Sequence, residues 1–177
     1  MLNRTIPRKM IVMAHHNARF GMRVAGIAIH EGHVLLQHTA QGDFWFLPGG
    51  RVEMLEPAAE SLRREMKEEI DADVTVVRLL WVIENFFEEN KLGHHELGMY
   101  FLIDPGSHFP YYDKTQPFYG REDGLGDTPS IRLTFRWFPI AQIADTYLFP
   151  TFLRTALQDL PQHTQHIVHY DVDDGGT

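Results

Sequence analysis

The chain has 177 residues, 44% of hydrophobic and 23% of charged types, a balance that fits one globular domain and excludes a disordered or fibrous protein. It has no cysteine, which excludes disulfides, thiolate metal sites and cysteine nucleophiles and fits a cytoplasmic location. The net charge is −8, and between Glu53 and Asn90 eleven acids face Arg63, Arg64, Lys67 and Arg78, an acidic field that repels nucleic acid and calls for a counter-charge such as a divalent cation.

Residues 1–22 carry Arg4, Arg8, Lys9 and Arg19 with no acid and are expected as a basic extension ahead of a domain over 23–162. They lack the apolar centre of a secretory signal, and Pro7 and the absence of serine count against an organelle transit segment. No apolar run approaches the roughly 20 residues of a membrane span, so no membrane contact is expected. Arg23 to Ile29 and His33 to His38 read as a hairpin turning at Glu31-Gly32. Phe44 to Leu47 reads as a short aromatic strand that stops at a bend, Pro48-Gly49-Gly50.

Pro57 suits the first turn of a helix, and Ala59, Leu62, Met66 and Ile70 give that helix an apolar stripe. Strands are expected at Val74 to Phe87 and His94 to Ile103, separated by the polar stretch Glu88 to Gly93. The stretch Asp104 to Ser130 is rich in proline, glycine and aromatic residues and reads as a lid, a binding loop or an interface. A strand over Ile131 to Phe138 and a helix over Thr151 to Leu160 follow, then a tail over 163–177 that is disordered from Asp171.

On the helix after Pro57, at 100° per residue, Glu65, Glu68 and Glu69 fall within about 100° of one another, beside the apolar stripe. Like charges so placed repel, and hard oxygen ligands gathered this way match Mg²⁺ or Mn²⁺. Taken alone, Glu-Met-Lys-Glu-Glu is an ordinary solvated helix face. The wider spacing is not ordinary: Gly50, five residues, Glu56, seven residues, then Arg64-Glu65-Met66-Lys67-Glu68-Glu69. This resembles the Nudix box, G-x5-E-x7-R-E-U-x-E-E-x-G-U with U apolar, and Trp45 to Gly49 resembles the usual approach to it. Asp71 replaces the final glycine, a position just past the helix where a left-handed residue is needed and aspartate is tolerated.

The resemblance implies an α/β (α+β) fold with a mixed sheet sandwiched between helices. It also implies hydrolysis of a nucleoside diphosphate linked to another group, with Mg²⁺ or Mn²⁺ as cofactor. By position, Glu65, Glu68, Glu69 and the carbonyl of Gly49 would bind the metal. Arg64 would pair with Glu56, and Gly50 would shape the loop. The general base of this family varies in position; Glu96 is the first candidate, with Glu84 and Glu69 as rivals. Arg23 is expected near a substrate phosphate. Tyr111, Tyr112, Phe118 and Tyr119 are stacking candidates, whereas Trp45, Trp81, Phe86 and Phe87 are expected in the core. His94 and His95 are read as polar residues at a loop edge.

The region Trp81 to Asn90 has neither the proline of the family's ADP-ribose hydrolases nor the tyrosine of its dinucleoside polyphosphate type. The partner is therefore a small nucleotide diphosphate of unspecified class. A non-nucleotide diphosphate, or a sensing module that has lost turnover, are the alternatives. The basic start beside an acidic body offers a surface for a homodimer.

Overall fold

Side chains along β2 (Ala18–His30) alternate between two apolar layers, Val24 and Ala28 in one, Ala25 and Ile27 in the other. That alternation makes a sheet covered on both faces. In this computed structural model residues 8–40, 42–123 and 129–171 are described. The strands are β1 (Val12–His15), β2, β3 (His33–Thr39), β4 (Gly49–Arg51), β5 (Thr75–Glu89), β6 (Leu92–Asp104), β7 (Phe118–Glu122), β8 (Ile131–Pro139) and β9 (Gln165–Tyr170). The helices are α1 (Ala58–Ile70), a 3-10 turn over Ile140–Asp145 and the single turn α2 (Leu153–Ala156).

The strand order is β7-β8-β3-β2-β6-β5-β9, with β1 and β4 also pairing with β2. The sheet is mixed: β2 with β6 and β5 with β9 are parallel, and the other pairs are antiparallel. Leu62, Met66 and Ile70 of α1 pack one face together with Phe101, Ile103 and Phe135. Ile143, Leu153 and Leu157, from the 3-10 turn and around α2, pack the other face against Trp81, Ile83 and Tyr100.

The hairpin β2–β3 turns at Glu31 (φ 44°) and Gly32 (φ 74°), both left-handed as a tight two-residue connection requires. Only Ile29 with Val34 and His30 with His33 then pair. Beyond them β2 and β3 part, and residues 46–51 enter the gap. Gly26 N–H donates to the Pro48 carbonyl at 2.8 Å, and Gln37 and Phe46 exchange backbone bonds at 2.8 and 2.9 Å. This opening in the sheet is where the cleft forms.

Several expectations change. Phe44 to Leu47 is not a strand: only isolated bridges join Trp45 to Leu148 and Phe46 to Gln37. Gly49 and Gly50, expected in a bend, instead form β4 against Val24 and Ala25. Glu88 to Gly93 does not separate β5 from β6. Both strands run into it and turn at Asn90 and Lys91, each with positive φ. The helix expected over Thr151 to Leu160 is only the four residues of α2. Residues 12–22, expected outside the domain, form β1 and the start of β2, and the expected tail contributes β9. Of Asp171 to Thr177 only Asp171 lies within the described residues.

The aromatic stretch after Asp104 is mostly packed rather than open. Phe109 and Phe118 are buried, Tyr111 stacks on Phe118 at 4.2 Å, and the Tyr111 carbonyl accepts from Trp137 Nε1 at 2.7 Å. Tyr112 lies against Trp137 and donates its hydroxyl hydrogen to the Gly106 carbonyl. Tyr119 is 54% exposed. Trp81 is core, whereas Phe86 and Phe87 are half-buried and stack on His95 and His94.

Candidate active site

One helix face and one glycine pair set the site. Glu65, Glu68 and Glu69 of α1 all line a cleft of about 890 Å³, with Gly49 and Gly50 of β4 as its neighbouring wall. A Cβ on Gly50 would stand 2.3 Å from Cδ of Glu65, so the carboxyl group rests directly on that backbone. Gly49 has φ +140°, and a Cβ there would lie 2.2 Å from the Val24 carbonyl oxygen. The helix ends as Asp71 adopts φ 54°, with its N–H on Lys67 O at 3.0 Å and that of Ala72 on Met66 O at 3.2 Å. Lys67 pairs with Asp71 and Asp73 at 2.7 and 2.9 Å, offsetting the acid at a helix C-terminus.

Arg64 ties the loop to the helix. It donates twice to Glu56, at 2.9 and 3.0 Å, and once each to Glu65 at 2.9 Å and Glu68 at 3.1 Å. Its side chain is only 18% exposed. Burial works against its charge, but the bonds to Glu56 and Glu65 outweigh it and hold the guanidinium firmly protonated. Arg64→Ala strands these carboxylates in a half-buried site. We expect a loss of about 2–3 kcal/mol in urea unfolding, read as a shifted midpoint at unchanged slope. A loss under about 0.5 kcal/mol would contradict this structural role.

The three helix carboxylates differ sharply. Burial, reinforced by Glu65, raises the Glu69 carboxyl well above the ordinary range, and its Oε2 is buried without a hydrogen-bond partner among the described residues. Burial also raises Glu65, partly opposed by Arg64. For Glu68 burial is outweighed by the bond from Arg8 and the charge of Arg64, so its carboxyl is lowered. Residues 9–11 run beside 52–54, with Ile11 N–H on Val52 O and Met54 N–H on Lys9 O. That pairing brings Arg8 to Glu53 at 2.6 Å and to both oxygens of Glu68 at 2.8 and 3.1 Å.

As the side chains stand, no three His, Asp or Glu groups among the described residues are gathered closely enough to hold an ion, and arginines hold Glu65 and Glu68. The donors still suit a hard divalent cation: three carboxylates on one wall, one with an orphaned buried oxygen, beside the Gly49 carbonyl. Arg23, from β2, lines the same cleft, donates to Gly49 O at 3.4 Å and stands 5.4 Å from the Phe46 ring centre. Glu96 of β6 lines it as well.

Glu84 does not; it faces His166 at 2.8 Å. Nor does the structure bring Tyr111 or Tyr112 to the cleft, because the core takes both rings. Sequence reasoning missed Arg8, Glu122, Asn85, Phe149 and Asp171, which all line the cleft. Asn85 left a signal, an amide beside Glu84 between the apolar runs 79–83 and 86–87.

Residues 20–160 match the family model of the NUDIX domain. Among solved structures, a mutator MutT protein from Bacillus halodurans matches with a TM-score of 0.53, at 17% identity, over 86% of this chain and 91% of that one. A NUDIX hydrolase from Nitrosomonas europaea matches with a TM-score of 0.51, at 19% identity, over 84% and 78%. These likenesses concern the fold. The curated low-salt glycan biosynthesis protein Agl8 of Haloferax volcanii is 40% identical over 67 residues, 36% of this chain. The matched stretch spans 42% of that relative's length. No helix among the described residues is long and apolar enough to cross a membrane.

Proposed function

This chain belongs to the Nudix family of hydrolases acting on phosphorus-containing anhydrides, and from that premise we propose that it cleaves the diphosphate bond of a nucleoside diphosphate linked to another moiety. The observation that carries the reading is the buried Glu69 oxygen without a partner, on the wall it shares with Glu65 and Glu68. A desolvated carboxylate cluster is unfavourable unless a cation completes it. Glu65, Glu68, Glu69 and the Gly49 carbonyl would hold Mg²⁺ or Mn²⁺. Such a cation, when bound, neutralises phosphate oxygens and acidifies water. Arg23 orients a phosphate from the β2 side of the cleft. Glu96, which lines the cleft as Glu84 does not, is the base assigned to the attacking water, with Glu69 as its rival.

The test is release of phosphate, pyrophosphate and nucleoside monophosphate from a panel of nucleotides, with Mg²⁺, with Mn²⁺ and with chelator, beside a Glu68→Gln, Glu69→Gln double variant. Turnover that disappears with chelator and in the variant is the expected result. Binding without turnover across the panel would overturn it.

Arg8 holds the Glu68 carboxylate that a cation would need. Arg8→Ala is therefore expected to tighten Mn²⁺ binding about three- to tenfold, read by the free-ion electron paramagnetic resonance signal. Weaker binding in that variant would mean that Arg8 instead positions the carboxylate.

A further inference from the structure

Beyond the carboxylate wall, the cleft is built from two loops held side by side. Trp45 N–H donates to Tyr147 O at 2.8 Å and Phe149 N–H to Trp45 O at 2.9 Å. The side chains sort accordingly. Trp45 and Leu148 join the core, while Phe44, Phe46, Tyr147 and Phe149 line the cleft. Their rings meet one another at centre distances of 5.2 to 6.5 Å. This is an aromatic wall fixed by backbone bonds, with the Arg154 guanidinium 6.0 and 5.6 Å from the Tyr147 and Phe149 ring centres and that of Arg23 5.4 Å from Phe46.

The wall continues directly into a polar group. Two residues past Phe149, Thr151 donates its N–H and its hydroxyl hydrogen to Asp171 Oδ1 at 2.8 and 2.6 Å, and His169 Nε2 lies 3.0 Å from the same oxygen. The other oxygen, Oδ2, accepts from Asn85 Nδ2 at 3.1 Å. The Asp171 side chain is 4% exposed. An ionised carboxylate only accepts, so the Asn85 amide can point only its nitrogen at Asp171. Its oxygen must face the other way. Asn85 is 4% exposed, its Oδ1 has no partner among the described residues, and the residue lines the cleft. A buried carbonyl held so firmly without a donor is costly, unless a ligand supplies the donor.

We propose that Asn85 and the wall of Phe44, Phe46, Tyr147 and Phe149 form a subsite for an amine-bearing nucleobase. The rings supply stacking for a flat heterocycle. Asn85 Oδ1 takes a hydrogen from the exocyclic amine. Adenine, cytosine and guanine carry that group. Uracil and thymine present their one ring N–H between two carbonyls, which crowd oxygen against oxygen at the same acceptor. Asp171 is a positioning residue, since it fixes the Asn85 amide and does not itself face the base. The proposal deepens the nucleotide hydrolase reading and rests on it.

The experiment uses pairs that differ at the amine alone or in its replacement by a carbonyl. Binding of AMP against purine riboside 5′-monophosphate, and of CMP against UMP, is measured by calorimetry with the wild-type protein and with Asn85→Ala. Hydrolysis of cytidine and uridine diphosphate-linked sugars is followed in parallel. The wild type is expected to favour the amine-bearing member of each pair about tenfold or more. Asn85→Ala should bring each pair within about twofold, while a purine keeps part of its affinity through stacking.

Equal wild-type binding within both pairs overturns the proposal without reliance on any variant. So does an Asn85→Ala protein that is folded by circular dichroism and keeps the preference. A preference in binding with no hydrolysis of any nucleotide leaves the subsite standing and removes the hydrolase reading. Neither binding nor hydrolysis of any nucleotide removes both.

Discussion

Glu69→Gln is expected to lower turnover by about 10³-fold or more and, in the same protein freed of metal by chelator, to raise the melting temperature. The two effects have one cause. Glu69 is 6% exposed, and burial, then the charge of Glu65, pushes its carboxyl well above the ordinary value of 4.5. Ionised, it is a cost to the fold that Arg23 relieves only in part and that a bound cation would offset. Glutamine keeps the shape and removes the charge. The catalytic loss follows from removing one anionic ligand, worth about 4 kcal/mol of charge stabilisation. The thermal gain is about 2–4 °C, for about 1 kcal/mol in a chain of this size.

The pH dependence fixes the sign. A carboxyl raised on folding contributes its stability fully below its unfolded value and loses it as the pH rises. The gain from Glu69→Gln should therefore be present at pH 7 and vanish near pH 4, where the carboxyl is protonated in both states. Differential scanning calorimetry with chelator at the two pH values reads this directly. A variant less stable than wild type at pH 7 would show that Glu69 is an ordinary structural carboxylate.

The second large effect is on the fold itself. Gly49→Ala is expected to cost about 4 kcal/mol, enough to leave a marginal protein partly unfolded at 37 °C. At φ +140° an L side chain is strained wherever it sits, and here the added carbon also meets the Val24 carbonyl oxygen at 2.2 Å and the Ala25 Cα at 2.9 Å. Both contacts are backbone, so no side chain can swing aside. Relief requires β4 to part from β2. Gly32→Ala is the control: its φ is +74° but no atom lies within 4 Å, so it should lose only about 1 kcal/mol. Comparable urea midpoints for the two variants would show that the β2–β4 approach relaxes freely.

Much of this was legible in the residues. The stripe Leu62, Met66 and Ile70 announced the buried face of α1, and the positions of Glu65, Glu68 and Glu69 announced the carboxylate wall, because both are set by helical periodicity within that one helix. What failed was long-range. Nothing local shows that Gly49 and Gly50 enter a gap between β2 and β3, since that gap depends on where two strands diverge. Tyr111 read as a free ring in a loop because Phe118, which it stacks on, and Trp137, which donates to its carbonyl, are brought beside it only by tertiary packing. Asp171 read as part of a tail because β9 pairs in parallel with β5, a partner some 80 residues earlier in the chain.

That long-range assembly governs the order in which the cleft can appear during folding. Arg8 meets Glu68 across 60 residues and Asn85 meets Asp171 across 86, whereas the stripe of α1 closes within one helix. Closing such loops costs entropy before any contact repays it, so the helix and the β5–β6 hairpin should nucleate while both rims of the cleft are still open. Substitutions at Arg8 or Asp171 should then accelerate unfolding and leave the refolding limb of the chevron almost untouched, with φ-values near zero. Substitutions at Leu62 should slow refolding.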